Sequence, residues 1–326
     1  MATTSSPTVP AVHKPSIAVR TALLIIFLPV VIGLMLFAFM APTHASGPKD
    51  VPIAISAPQA VIDNIESTLA ENSDNAPEII VANDDAAVRE LIHDREAVGG
   101  LTVSAEGATV YTASGNGAAY VQMMNTLGGN LTAAGQQITT VDLAPTSAED
   151  PQATGIALLG LPLAFGGIVS AVTATLLLKG HKGLTVSALA GIALVAGLVV
   201  TFLLHNVYGT LTGIFWAEFA AVSLGISATS FVAAGLAVIL RVPGIGITAL
   251  LTIFVSNPLS GLATGPWLLP SGWSTLGQLM SIGATGHIIR SISFFGGGGI
   301  GNAFLVPICW VLVGATLILA VRRRKA

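Results

Sequence analysis

Fifteen of the sixteen carboxylate side chains in this 326-residue chain fall between residues 43 and 150, and the stretches on either side of that block are apolar. This segregation limits the fold more than any motif does. An acid-rich domain needs water, whereas the flanking segments need lipid or a protein interior, so a soluble unit is tethered at both ends to a membrane. With 53% hydrophobic and 9% charged residues and a mean hydropathy of +0.81, the chain lies far from the roughly 25% charge of soluble domains.

Residues 1–16 are rich in Ser, Thr and Pro and read as a short cytoplasmic tail. Residues 17–41 are long enough to cross the roughly 30 Å hydrocarbon core, with Pro29 as an expected kink. Lys14 and Arg20 resemble the front of a signal peptide, but the apolar run exceeds the roughly 7–15 residues of such a segment, so an uncleaved anchor is expected. Five further spans are read at 153–178, 184–204, 210–240, 244–263 and 303–321. The bases sit at alternate ends of these runs: Lys14 and Arg20, Lys179 and Lys182, Arg241, then Arg322 to Lys325. By the positive-inside rule all of these face the cytoplasm. The expected fold class is therefore an α-helical polytopic protein with six transmembrane helices, both termini cytoplasmic, in the plasma (inner) membrane. Residues 43–150 form an extracytoplasmic α/β domain between helices 1 and 2, and residues 151–326 form a five-helix membrane domain.

Within the acidic block, alternation predicts strands at 51–55, 78–82 and 138–143, and a hairpin of 101–103 with 109–112 turning at Glu106-Gly107. Helical periodicity predicts helices at 57–69, from the Asn83-Asp84-Asp85 cap through Glu96, and at 118–134. A domain of about one hundred residues is large enough to bury its own core.

Residues 257–302 are apolar but broken by Pro and Gly, so they read as an outer lid, part of which dips into protein; Trp267 and Trp273 suit an interface. Asn257-Pro258-Leu259-Ser260-Gly261, the stretch 266–273, and Gly283-Ala284-Thr285-Gly286-His287-Ile288-Ile289-Arg290-Ser291 resemble the C-terminal part of actinobacterial ABC-2-type membrane (permease) proteins. The plan of the chain, and residues 84–96 followed by Gly99-Gly100-Leu101, are similar to the YhgE/Pip-like group. The resemblance covers most of the chain from Val51 onward and rests on pattern and spacing. It implies a membrane subunit of an export system for a lipophilic or cell-envelope substrate, served by a separate ATPase subunit. The loops at 179–183 and 241–243 depart from that pattern by leaving an ATPase little to grip. The alternative is a non-transporting scaffold or surface receptor whose external domain recruits a partner.

No catalytic constellation is present in the sequence, so an enzyme is not expected. Gly296-Gly297-Gly298-Gly299-Ile300-Gly301 fits a dinucleotide fingerprint in letters only, because it lies beside a span and not between a strand and a helix; a flexible linker is expected. No P-loop sequence occurs, and His44 and His93 stand alone, so no cofactor, metal or nucleic-acid partner is expected. Gly209-xxx-Gly213 and Gly261-xxx-Gly265 have the spacing that lets helices approach in lipid and points weakly to a homodimer. Glu218 is the one acid in the spans and a functional candidate by its cost of burial. It is expected eight residues into the fourth helix, within reach of His205 or Arg290, with His287, Asn257 and Pro258 as further candidates.

Overall fold

The computed structural model describes residues 16–45, 47, 50–71, 76–104, 107–133 and 135–320. The tail before Ser16, Glu106 of the expected hairpin turn, and the bases of 322–325 lie outside the described residues.

A long helix α1 (Ile17–Ala45) leads into a five-stranded sheet of order β2-β1-β3-β4-β5, built from β1 (Pro52–Ser56), β2 (Glu78–Val81), β3 (Gly99–Ser104), β4 (Gly107–Thr112) and β5 (Ile138–Asp142). Parallel pairing of β1 with β2 and β3, and of β4 with β5, requires crossovers. These are α2 (Gln59–Glu71), α3 (Asp85–His93) and α4 (Ala118–Ala133); only β3 and β4 form an antiparallel hairpin. Side-chain alternation divides the core. Ile53, Ile55, Leu101 and Val110 face Ile62 of α2 and Met124 of α4, while Ala54 and Tyr111 face Val88 and Ile92 of α3. Gly100 is required for that second layer, since a Cβ there would lie 2.5 Å from Val88 Cγ1. The Asp84 carboxylate starts α3 by accepting from Ala87 N at 2.8 Å. This second layer is not closed by the sheet domain alone. Phe295, from the far end of the chain, is buried in it beside Ile92 and Tyr111, which corrects the expectation of a self-contained core.

The remaining helices are α5 (Thr154–Leu158), α6 (Gly160–Leu177), α7 (Lys182–Phe202), α8 (Phe215–Leu240), α9 (Val242–Ala249), α10 (Asn257–Leu259), α11 (Trp273–Gln278), α12 (Ser281–Phe294) and α13 (Leu305–Ala320). A π-helical turn, Leu203–Val207, extends α7, and another, Leu250–Ser256, joins α9 to α10. Among the described residues five helical stretches are long and apolar enough to cross a membrane: Ile17–Ala41, Thr154–Leu177, Lys182–Val207, Phe215–Leu240 and Val242–Leu259. The sixth expected span is the shorter apolar helix α13.

Helix α8 is the axis of the bundle, and small residues let its neighbours close on it. Gly167 of α6 meets Thr229, Gly197 of α7 meets Ser223, and Gly235 meets Gly314 of α13. The two expected small-residue pairs are not helical contacts: Gly209, Gly261 and Gly265 have positive φ in loops. Glu218 is corrected likewise. Residues 210–214 are not helical, so α8 begins at Phe215 and Glu218 stands in its first turn, not eight residues along it. Helix α12 runs antiparallel along α8, with Ser281 Oγ 3.3 Å from Thr229 Oγ1, Thr285 against Gly225 and Ser293 beside Glu218.

The bundle has two chemically distinct ends. At one, Lys182 Nζ donates to Leu319 O at 2.7 Å and Arg241 closes the C-terminus of α8. At the other, Asp150 accepts from Thr154 N, Gly155 N and Thr210 Oγ1 at 2.7–2.9 Å, tying the exit of the sheet domain to α5 and to the loop before α8.

Candidate functional site

Glu218 is fully buried, and both carboxylate oxygens are occupied. Oε1 accepts from Gly213 N and Ser293 Oγ, each at 2.8 Å, and Oε2 lies 2.7 Å from His205 Nδ1. Two local features build this cluster. The π-helical turn after α7 re-aims His205, whose ring packs edge-on against Phe215 at 5.4 Å. The loop 210–214 turns the Gly213 N–H toward the start of α8, where a carboxylate is also favoured by the helix dipole. Of the two partners expected for Glu218, the structure brings in His205 and leaves Arg290 elsewhere.

Arg290, 4% exposed on α12, donates to the carbonyls of Gly115, Asn116 and Leu262. It thereby stitches α12 to the 3-10 turn Ser114–Asn116 of the sheet domain. A second arginine meets it from the other side. Arg95 Nη1 donates to His287 O at 2.9 Å and Ser291 Oγ at 2.8 Å, and Nε donates to Asn116 Oδ1 at 3.3 Å. Burial, then the charge of Arg290, push the Arg95 pKa down to about 9. An arginine stays charged even so, which leaves two positive charges at the junction, and neither is ion-paired among the described residues.

The backbone of Arg95 is itself unusual. It follows the end of α3 at φ 58, a left-handed position usually filled by glycine, and the turn is closed by Glu96 N and Ala97 N on Leu91 O. A non-glycine residue there costs roughly 1–2 kcal/mol, and the side chain it retains is the one that reaches α12. Around this contact Trp267 N donates to Tyr120 Oη at 2.9 Å, and Gly298 and Gly299 lie against His93 and Asp94. The glycine run expected to be a flexible linker is therefore packed under the end of α3, where Gly299 O also contacts His287 Nε2 at 2.8 Å.

Between the two domains lies an open hollow of about 730 Å³ with Arg95 and His287 on its wall. A hollow of about 420 Å³ lies beside Asp150 and the π-helical end of α7. Asn257 and Pro258 make no hydrogen bond to either arginine and line a separate hollow of about 270 Å³ with Phe39 of α1 and Leu262. Arg95, Asn116, Tyr120 and Ser293 were not foreseen from sequence. The one available signal was an arginine where a helix ends and a glycine is expected. Among the described residues no group of His, Cys, Asp or Glu could hold a metal ion.

Comparison with known proteins returns nothing to set beside this geometry: no family model matches the chain, no curated protein matches it in sequence, and no solved structure matches its fold.

Proposed function

We propose that the chain is the membrane subunit of an export system for a lipophilic or cell-envelope substrate, of the ABC-2 kind, with the sheet domain outside the plasma membrane. The observation that carries this reading is the hollow at the domain junction. Trp267, Leu269, Leu279 and Val306 give it an apolar wall, while Arg95 and His287 give it a polar one. A volume of about 730 Å³ is within the range of small-molecule sites, and a seat of this character between an aqueous domain and apolar helices suits a molecule with both a head and a tail.

Six spans with both termini cytoplasmic is the orientation that fits. The sheet domain and the bases Lys182 and Arg241 are at opposite ends of the bundle, and bases favour the cytoplasmic side. Energy in this reading comes from a separate ATPase subunit or an ion gradient.

One observation favours a second reading, a scaffold or surface receptor whose external domain recruits a partner. Among the described residues the basic end offers the turn 178–181 and Arg241 as connections, so they leave little surface for an ATPase. Purification of the full chain from its own membranes in mild detergent distinguishes the two. The export reading expects an ATPase subunit in stoichiometric amount, with hydrolysis that responds to added amphiphile; repeated recovery of the chain without one supports the receptor.

A further inference from the structure

The charges around the junction hollow are not explained by the packing of the two domains. The acceptors of Arg95, Asn116 Oδ1, His287 O and Ser291 Oγ, are all neutral, and its Nη2 has no hydrogen-bond partner among the described residues while the side chain lines the hollow. Arg95 is half-buried with no carboxylate in ion-pair distance among the described residues, and its planar fork is suited to a phosphate. Two carboxylates line the same hollow. The parallel register Pro52↔Glu78, with Asp50 N donating to Ala76 O at 3.0 Å, holds Asp50 and Glu78 together at the edge of β1 and β2. Beside His287, the remaining wall mixes uncharged polar side chains, among them Thr275, Gln278 and Asn302, with the apolar Trp267, Leu279 and Val306; Leu279 is 58% exposed, so an apolar strip of the hollow is open to the surroundings.

A purely anionic head group placed here would face Asp50 and Glu78, and a purely cationic one would face Arg95. We infer that the hollow binds a zwitterionic amphiphile, with its phosphate on Arg95, its ammonium group toward Asp50 and Glu78, and its chain along Trp267, Leu279 and Val306. The inference rests on the export reading for the fate of the ligand, though not for its binding.

The test uses the full chain in detergent, titrated with dioctanoyl phosphatidylethanolamine, dioctanoyl phosphatidylglycerol, dodecylamine and inorganic phosphate, with bound ligand counted by native mass spectrometry. Phosphatidylethanolamine is expected to bind at least tenfold more tightly than the other three. Arg95→Gln should weaken it at least tenfold, and Asp50→Asn with Glu78→Gln should raise phosphatidylglycerol to parity. Thr275 lines the hollow and makes no hydrogen bond to Arg95, so Thr275→Trp should fill the hollow and abolish binding while leaving the Arg95 contacts intact; this separates occupancy from altered docking. The inference is overturned if phosphatidylglycerol binds as well as phosphatidylethanolamine to the unaltered chain. It is equally overturned if Thr275→Trp or Arg95→Gln binds normally, or if inorganic phosphate competes. Selective binding without any ATPase partner would sink the ATPase-driven, ABC-2 form of the export reading and leave the lipid site; an ATPase partner without selective binding would do the reverse.

Discussion

Arg95 donates to the main-chain oxygen of His287, 2.9 Å away, from a backbone position that would be less strained as glycine. The local cost and the long-range gain can be separated. Arg95→Gly should relieve about 1 kcal/mol of backbone strain while removing the contacts to His287, Ser291 and Asn116. Hydrogen exchange of the full chain should therefore show α3 retained but α12 less protected; unchanged exchange in α12 would mean that Arg95 does not hold the junction.

Phe295 is 3% exposed and completes the layer formed by Val88, Ile92 and Tyr111. Phe295→Ala should cost about 3–5 kcal/mol, seen as a lower unfolding temperature of the full chain. A soluble piece spanning residues 46–149 lacks Phe295 and should fold with a weakened α3 layer. Near-UV spectra and a cooperative transition check this, and a piece as stable as the domain within the intact chain would contradict it.

Removing the Glu218 carboxylate leaves Gly213 N, Ser293 Oγ and His205 without their shared acceptor. Glu218→Ala should destabilise by about 3 kcal/mol or more, in the range for breaking a buried pair. Glu218→Gln keeps one acceptor oxygen and should cost less. Thermal unfolding in detergent, read beside ATPase stimulation or partner binding, separates the two roles. Loss of function in Glu218→Gln at near-normal stability assigns the charge a working role, and equal stability of both variants with the unaltered chain removes the cluster from the structural account.

Acid sensitivity should be traceable to two carboxylates outside the spans. The Tyr111 hydroxyl, then Arg89, hold the Asp85 pKa below its ordinary 3.8. At Asp150 burial acts upward, but the Gly155 N–H and the Thr210 hydroxyl outweigh it, so the net shift is again downward from 3.8. A folded pKa below the unfolded one contributes stability that is present above about pH 4 and is lost as pH falls through the folded value. The effect of Asp85 is modest because its side chain is 44% exposed. An acid titration of unfolding temperature should be shallower in Asp85→Asn and Asp150→Asn than in the unaltered chain; superimposable curves would refute the assignment.

The orientation is open to direct labelling. With Cys309→Ala as background, cysteines at Ser104 and Lys182 should react from opposite sides of intact cells, Ser104 from outside. Labelling of both from one side would overturn the proposed topology.

The sheet domain was legible because its signals are local. Alternation placed Ile53 and Ile55 against Ala54, and Asp84 marked its helix start. The Glu218 and His205 pair was legible because a lone carboxylate in an apolar run needs a donor, and His205 closes the preceding apolar segment. What failed was long-range. Arg290 was singled out but assigned the wrong partner, since nothing in sequence periodicity reports that its guanidinium meets the carbonyls of Gly115 and Asn116. The glycine spacings misled for a related reason: the close approaches that matter, Gly235 to Gly314 among them, join separate helices. Their partners cannot be found by counting along one helix.

Helix α12 carries three serines, a threonine, a histidine and an arginine, yet all but three of its fourteen residues are buried. Such a segment is poorly suited to lie against hydrocarbon, because its arginine above all is costly to place there. Among the described residues its polar groups are met by α8, by the loops at Leu262 and Gly299 and by the sheet domain. In the proposed topology that dependence sets an assembly order: the long apolar helices insert first, the sheet domain folds outside, and α12 packs between them last. A substitution that slows folding of the sheet domain should therefore yield chains with every long helix inserted and the segment 273–294 still accessible to protease.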